Sequence, residues 1–251
     1  MARRYWLKRA LVFAMKRLSH PPVQALLRAA VRRHDGTRIV VCGANNRVTA
    51  DGASLERVSV SVVGDDNAVS IADGAILVRC RIRMAGSGHR LIIGANCHLV
   101  DADLAFEDTA CTITIGTGTT IEGGHLAAVE PGSSVTLGDD CMLSDGIDIR
   151  TSDSHAIFDS ASGRRLNPPA DVSLGRHVWL GTQVAVLKGV TIGDGAVIGA
   201  RSVVTSDVPA GCIAAGVPAR VLREGVTWTR ERASADGLAR PTPIGAAKPA
   251  D

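Results

Sequence analysis

From Leu174 onward an aliphatic side chain recurs every six residues: Leu174, Leu180, Val186, Ile192, Ile198 and Val204. Four places after each of the first five stand Val178, Val184, Val190, Ala196 and Ser202, all small or β-branched. A helix turns its apolar face inward every three to four residues and a flat strand every second one, so neither accommodates a strict six. A coil of short parallel strands does, with one inward aliphatic per strand. Three such strands close a triangular prism in which residues eighteen apart stack in one column.

Upstream the signature recurs at a longer interval. Segments 49–55, 71–77, 93–99, 115–121 and 137–143 align, each starting twenty-two residues after the last. Turn-rich patches and short strands precede them, as in GDDNAVSI, GSGHRLII and PGSSVTL. Each unit reads as one coil carrying four extra residues at a corner. A right-handed β-helix also accepts coils of this length.

The composition agrees with stacked narrow layers. The 251 residues are 45% hydrophobic but only 3% aromatic, which gives an aliphatic core with few large rings. This length allows one or two domains. A net charge of +3 is too small to argue for nucleic acid. The six cysteines form no CxxC pair, and Cys97 and Cys141 occupy the slot that Ala53, Ala75 and Thr119 fill in other coils. They read as buried thiols in a reducing cytoplasm.

Residues 1–33 are a different material, with nine Lys or Arg and no Asp or Glu. Trp6, Leu7, Leu11, Ala14, Met15 and Leu18 recur at helical spacing, and Val23, Leu26, Leu27, Ala30 and Val31 resume it after Pro21-Pro22. The run ALVFAM is too short for a signal peptide core or a membrane span. Two basic amphipathic helices are expected, as a cap on the first coil. Docking on anionic lipid at the inner face of the membrane is compatible with that role. The expected organisation is a helical segment over 1–37, a β-helix over 38–223 and a flexible tail over 224–251, Ala/Pro/Gly-rich and without pattern.

The beat breaks once. After Ile149 the next aliphatic start is Leu174, twenty-five residues on, and a long loop at about 150–172 leaves the prism. Such loops in compact repeats are usually functional. His155 alone among the histidines sits at this break, and imidazole suits proton transfer near neutrality. Asp153, two residues earlier, would share its side in an extended chain and orient the ring; Asp145 and Asp148 are rivals. His98, His125 and His177 fall on or near repeat positions without the paired spacing of a metal site, so no metal is expected. Thr112-Ile113-Thr114 supplies a Thr-x-Thr step, but no such step recurs on one face of every coil, which the ladder of an ice-binding surface needs.

The same column rule sketches a groove. Gly181 stacks with Gly199, and Thr182 with Ala200 and then Pro218, while Trp179 opens the first of these coils. A narrow track of small residues suits a pantetheine arm, although tight coils also require small residues.

The succession of "SDSHAIFD", "VWLGTQVAVLKGVTIGDGAVIGARSVV" and "AAGVPARV" from about residue 149 to 223 resembles the hexapeptide-repeat acyltransferases. "IRTSDSHAIFD" and "GRRLN" resemble their polysaccharide O-acetyltransferase branch. The resemblance implies an all-β fold, a left-handed parallel β-helix, acting as a homotrimer with acetyl-CoA between neighbouring prisms. It implies that His155 deprotonates an acceptor hydroxyl, which attacks the acyl-CoA carbonyl directly. It implies cofactor contacts at Trp179, Gly181, Thr182, Ala200 and Pro218, with Thr205, Ser206, Arg220 and Arg223 near the nucleotide phosphates. The family often has Lys where Ser206 stands, which shifts phosphate binding toward Arg220 and Arg223. Arg150 and Asn167 belong to the same block, as sugar contacts or as structural hydrogen bonds of the loop. The expected activity is O-acetylation of a sugar hydroxyl on a polysaccharide, a glycolipid or their precursor. An N-acetyltransferase on an amino sugar and a non-catalytic β-helix scaffold are the alternatives.

Overall fold

The computed structural model describes residues 33–34 and 36–232. The expected N-terminal helices and the tail beyond Arg232 lie outside the described residues. Every regular element described is a strand, and nearly all pairing is parallel. Three sheets stack as the sides of one solenoid. Sheet I runs from Arg33–His34 and Thr37–Cys42 through Ser59–Val63, Arg81–Ser87, Ala102–Thr109, Gly124–Ala128, Ile147–Arg150 and Ala185–Val186 to Val203–Val204. Sheet II runs from Arg47–Thr49 to Thr191–Ile192, and sheet III from Ser54–Glu56 to Ala219–Arg223.

The hexads are borne out in register. Trp179 and Leu180 pair with Val197 and Ile198, and Ala185 and Val186 with Val203 and Val204, each eighteen residues on. Leu174, Leu180, Val186, Ile192, Ile198 and Val204 are all buried. Each two-residue strand therefore sends one side chain inward, and each turn is too short to do more.

The wider coils differ from expectation in two ways. Their extra residues do not bulge at a corner but lengthen sheet I, whose strands Arg81–Ser87 and Ala102–Thr109 run seven and eight residues. The broad strands send more than one side chain into the core: Val60 and Val62, Ile82 and Met84, and Ala102, Leu104 and Phe106. The wider interior is what admits Phe106, fully buried in a core otherwise almost wholly aliphatic. The first step is also one residue short in sheet II, where Arg47, Val48 and Thr49 pair with Ala68, Val69 and Ser70, although sheet III keeps twenty-two, with Leu55 on Leu77. Twenty-two holds from Ile71 to Ile93, Ile115 and Leu137. At the N-terminal edge Arg33–His34 pairs antiparallel with Thr37–Cys42, inside the span expected to be helical. Gly36, at φ 80°, makes the turn that folds it back.

One corner of the broad half carries a buried polar ladder. Asn46 Oδ1 accepts the Asn67 backbone N–H (2.9 Å), Asn67 Oδ1 accepts that of His89 (2.9 Å), and His89 Nδ1 accepts that of Cys111 (3.2 Å). Each side chain satisfies a backbone donor one coil on that the turn cannot pair. Beside it the chain passes coil to coil through Gly43, Gly64 and Gly86; a Cβ on Gly64 would stand 2.0 Å from the Gly86 carbonyl oxygen. Cys97 and Cys141 are buried beside Ala75 and Thr119 as the slot pattern anticipates, and all six cysteines are free thiols. Burial pushes the Cys141 thiol up to about 11.

Candidate active site

The solenoid is interrupted where the sequence breaks its beat. Asp148 pairs with Ala185, thirty-seven residues on, so the chain between leaves the prism and returns. Its root is buried: Thr151 takes the Val129 N–H on its hydroxyl (2.9 Å) and lies 2.9 Å from the Ser133 hydroxyl. Outside, residues 157–166 fold back on themselves. Leu166 N–H donates to Ile157 (2.7 Å), Asp159 N–H donates to Arg164 (2.9 Å), and Phe158 bridges antiparallel to Arg165.

Two polar clusters tie this flap to the solenoid. In one, Arg165 Nη1 and Nη2 donate to Glu130 Oε2 (2.5 Å) and Oε1 (2.7 Å), and the Ser152 hydroxyl also donates to Glu130. Ser152 in turn accepts the Ser154 N–H (2.9 Å). The Arg165 guanidinium, with help from Ser152 and against partial burial, brings the Glu130 carboxyl down to about 2. Arg165 Nε is left buried with no hydrogen-bond partner among the described residues. In the other cluster, Asn167 donates to Asp153 (2.7 Å) and to the His155 carbonyl (2.8 Å), and accepts the Ile157 N–H (2.6 Å). Lys188 donates to the same Asp153 oxygen and to the Asn167 carbonyl (3.2 Å). Lys188 first, and Asn167 second, hold the Asp153 carboxyl below the usual carboxylate range.

These bonds correct the expected role of Asp153. Its carboxylate meets Lys188 and Asn167 and not the imidazole of His155. The rivals do not orient the ring either: Asp148 pairs with Arg150 (2.8 Å), and Asp145 offers its carbonyl to Thr182 and Gln183. The His155 side chain projects exposed from a turn fixed on both sides, with Ser154 at φ 62°. Asn167 takes the structural of its two expected roles, bonding the loop to itself. Glu130, Arg165 and Lys188 were not anticipated, because they stand 21 to 35 residues from their partners and no local pattern marks them.

The expected cofactor track lies on the last coils. Gly181 and Ala200 abut closely: a Cβ on Gly181 would stand 2.7 Å from the Ala200 nitrogen. Coil packing therefore accounts for this glycine by itself. Thr182, Ala200, Thr205, Ser206, Arg220 and Arg223 are exposed. Pro218 does not continue the column, because the last step is sixteen residues, pairing Val197 with Ile213 and Ile198 with Ala214. Ala215 stands under Gly199 instead. Pro218 occupies the turn joining Ile213–Gly216 to the antiparallel strand Ala219–Arg223.

Beyond Arg223, within the span expected to be a flexible tail, Trp228 and Arg230 are held against the solenoid. Trp228 is buried, stacked on His177 with ring centroids 3.9 Å apart, and 5.8 Å from Trp179. It donates Nε1–H to the His177 carbonyl (2.8 Å), and Arg230 reaches Asp140 (2.8 Å) and the Cys141 carbonyl (2.8 Å). A large ring with an unused donor was the available signal. His177, between Asp140 (2.6 Å) and the Trp228 carbonyl (3.0 Å), is structural.

A parallel β-solenoid interrupted once, by a tethered flap that presents a histidine, defines the class. Residues 171–206 match the family model "Bacterial transferase hexapeptide (six repeats)". The chain is 36% identical over 91 residues to the polysialic acid O-acetyltransferase of Escherichia coli O1:K1 / APEC, 36% of this chain and 30% of that protein. It is 55% identical over 53 residues to the galactoside O-acetyltransferase of Escherichia coli K12, 21% of this chain and 26% of that protein. These matches span less than a third of either curated relative. The solved polySia-specific acetyltransferase NeuO superposes with a TM-score of 0.74 at 31% identity, over 80% of this chain and 93% of that one. The chain belongs to the hexapeptide-repeat acetyltransferase family.

Proposed function

We propose that this protein transfers an acetyl group from acetyl-CoA to a sugar hydroxyl on a polysaccharide, glycolipid or their precursor, with His155 as general base. The observation that carries this reading is the flap: two independent clusters fix the backbone on both sides of His155 while its side chain stays exposed. A base that must meet an incoming hydroxyl needs a fixed backbone and an open ring. In the proposed step the acceptor oxygen forms an ester bond to the acetyl carbon as the carbon–sulfur bond breaks. The hydroxyl proton passes to His155 and then to the departing thiolate.

The exposed track of Thr182 and Ala200 fits a pantetheine arm, with Trp179 at its end and the exposed Arg220 and Arg223 suited to phosphates. Acetyl-CoA supplies the activated thioester. Asp153 acts through Asn167 to fix the His155 turn, and Lys188 keeps Asp153 ionised. We read the winding as left-handed and the assembly as a homotrimer, on the family resemblance, and the location as cytoplasmic with residues 1–33 near the membrane.

Coenzyme A release from acetyl-CoA, measured over sugars bearing a free hydroxyl or a free amine, tests the reading. Release with hydroxyl acceptors supports it. Release with amines alone makes the protein an N-acetyltransferase, and absence of coenzyme A binding makes it a scaffold.

A further inference from the structure

On the outer face of sheet I, beside the flap, lies a shallow hollow of about 130 Å³. Register explains it. Arg83, Ala105, Ala127 and Arg150 are successive members of one outward column. Two alanines between two arginines leave a recess, and at about 4.8 Å per strand the arginine backbones stand roughly 14 Å apart. Although they face outward, Ala105, Ala127 and Val129 are 6%, 4% and 8% exposed, and they form an apolar cluster apart from the main core. The walls overhang this floor.

The charges in the walls are already matched. Arg83 is held by Asp103 (2.9 and 2.8 Å), and Arg150 donates Nε–H to Asp148 (2.8 and 3.0 Å). Glu107 stands on the rim. With both arginines paired and a further carboxylate on the rim, the hollow suits a neutral polyol better than a bare anion.

His125 is the anomaly. Its half-buried ring faces Asp103, Arg150, Asp148 and Arg83. Asp103 Oδ2 is 3.8 Å from Nδ1, beyond hydrogen-bond distance, and neither ring nitrogen has a hydrogen-bond partner among the described residues. Burial lowers its pKa, so the ring stays neutral, one nitrogen donating and one accepting. A sugar hydroxyl, which also donates and accepts, matches that pair. The hollow meets the flap at Ser152 and Ser154, the latter adjacent in sequence to His155.

We infer that this hollow is the acceptor subsite, holding one sugar ring flat on Ala105, Ala127 and Val129 with its hydroxyls toward His125, Arg150 and Ser154. The inference rests on the proposed sugar acetyltransferase activity and assigns that activity its acceptor position.

Two variants test it. Ala127→Leu fills the floor, and His125→Phe keeps the ring volume while removing its polar atoms. The probes are a sialic acid oligomer and a simple galactoside, read by saturation-transfer NMR for binding and by acceptor KM for transfer. Both variants should weaken binding of the accepted probe by about tenfold or more, with coenzyme A affinity and oligomeric state unchanged. Wild-type affinity and acceptor KM in either folded variant overturns the inference, as does wild-type protein that binds neither probe. If Ala127→Leu changes the oligomeric state while sugar affinity holds, the hollow is a subunit contact and the inference fails. Because binding is read without turnover, lost binding in the variants of a protein that transfers nothing would keep the subsite and remove the acetyltransferase reading.

Discussion

Arg165, on the returning arm of the flap, meets Glu130, thirty-five residues earlier, through two nitrogens on two oxygens. Such a paired geometry fixes orientation as well as distance. Through Ser152 and the Ser154 N–H the same carboxylate sets the turn that presents His155. The pair therefore acts on the site without touching a reacting atom.

Breaking it should cost rate more than stability. In Arg165→Ala, kcat is expected to fall on the order of 10²-fold, since small misplacements of a catalytic group carry such penalties. The melting temperature should stay close to wild type, because the solenoid core is untouched. Arg165→Lys should restore only part of the rate, lacking the planar fork. Steady-state kinetics beside thermal denaturation checks this; equal losses in both variants together with a large drop in melting temperature would make the pair merely structural.

His89 predicts an acid weakness in the broad half. It is fully buried, and burial lowers its pKa below the ordinary 6.5. Above about 6.5 the ring is neutral in both folded and unfolded chains, and its contribution to the pH dependence is flat. As pH falls below that value the unfolded chain takes up the proton first, so stability declines until the folded value is reached. Replacing His89 by Gln should remove that part of the slope below pH 6.5 in denaturant titrations. An unchanged slope would remove His89 as its source.

Trp228 should behave as an anchor. Trp228→Ala loses its stacking on His177 and the bond to the His177 carbonyl, at a cost of about 1–3 kcal/mol. Because Trp228 also adjoins Trp179, the KM for acetyl-CoA should rise in this variant if the thioester end lies there. Chemical denaturation and acetyl-CoA kinetics report the two effects separately.

The solenoid was legible because a two-residue strand allows only one inward side chain, so Leu174 to Val204 print their geometry as a strict period. The broad half was legible as coils but not in shape. The alternation of Ile82 with Met84 and of Leu104 with Phe106 was the sign that one side had lengthened, and it was masked by the regular spacing of the other two. His155 was visible as the histidine at the break. The role of Asp153 was not, because neighbours in sequence suggested a contact that Lys188 and Asn167 take up from a distance. Pro218 was misplaced by carrying a period of eighteen into a final step of sixteen.

The central claim is that His155 removes the acceptor proton. The most direct measurement is acetyl transfer from acetyl-CoA by His155→Ala to a hydroxyl sugar that wild-type protein accepts, with coenzyme A affinity measured on the same preparation. The account predicts a fall of about 10²–10⁴-fold in kcat with coenzyme A affinity and fold retained. Transfer at the wild-type rate in that variant would contradict it.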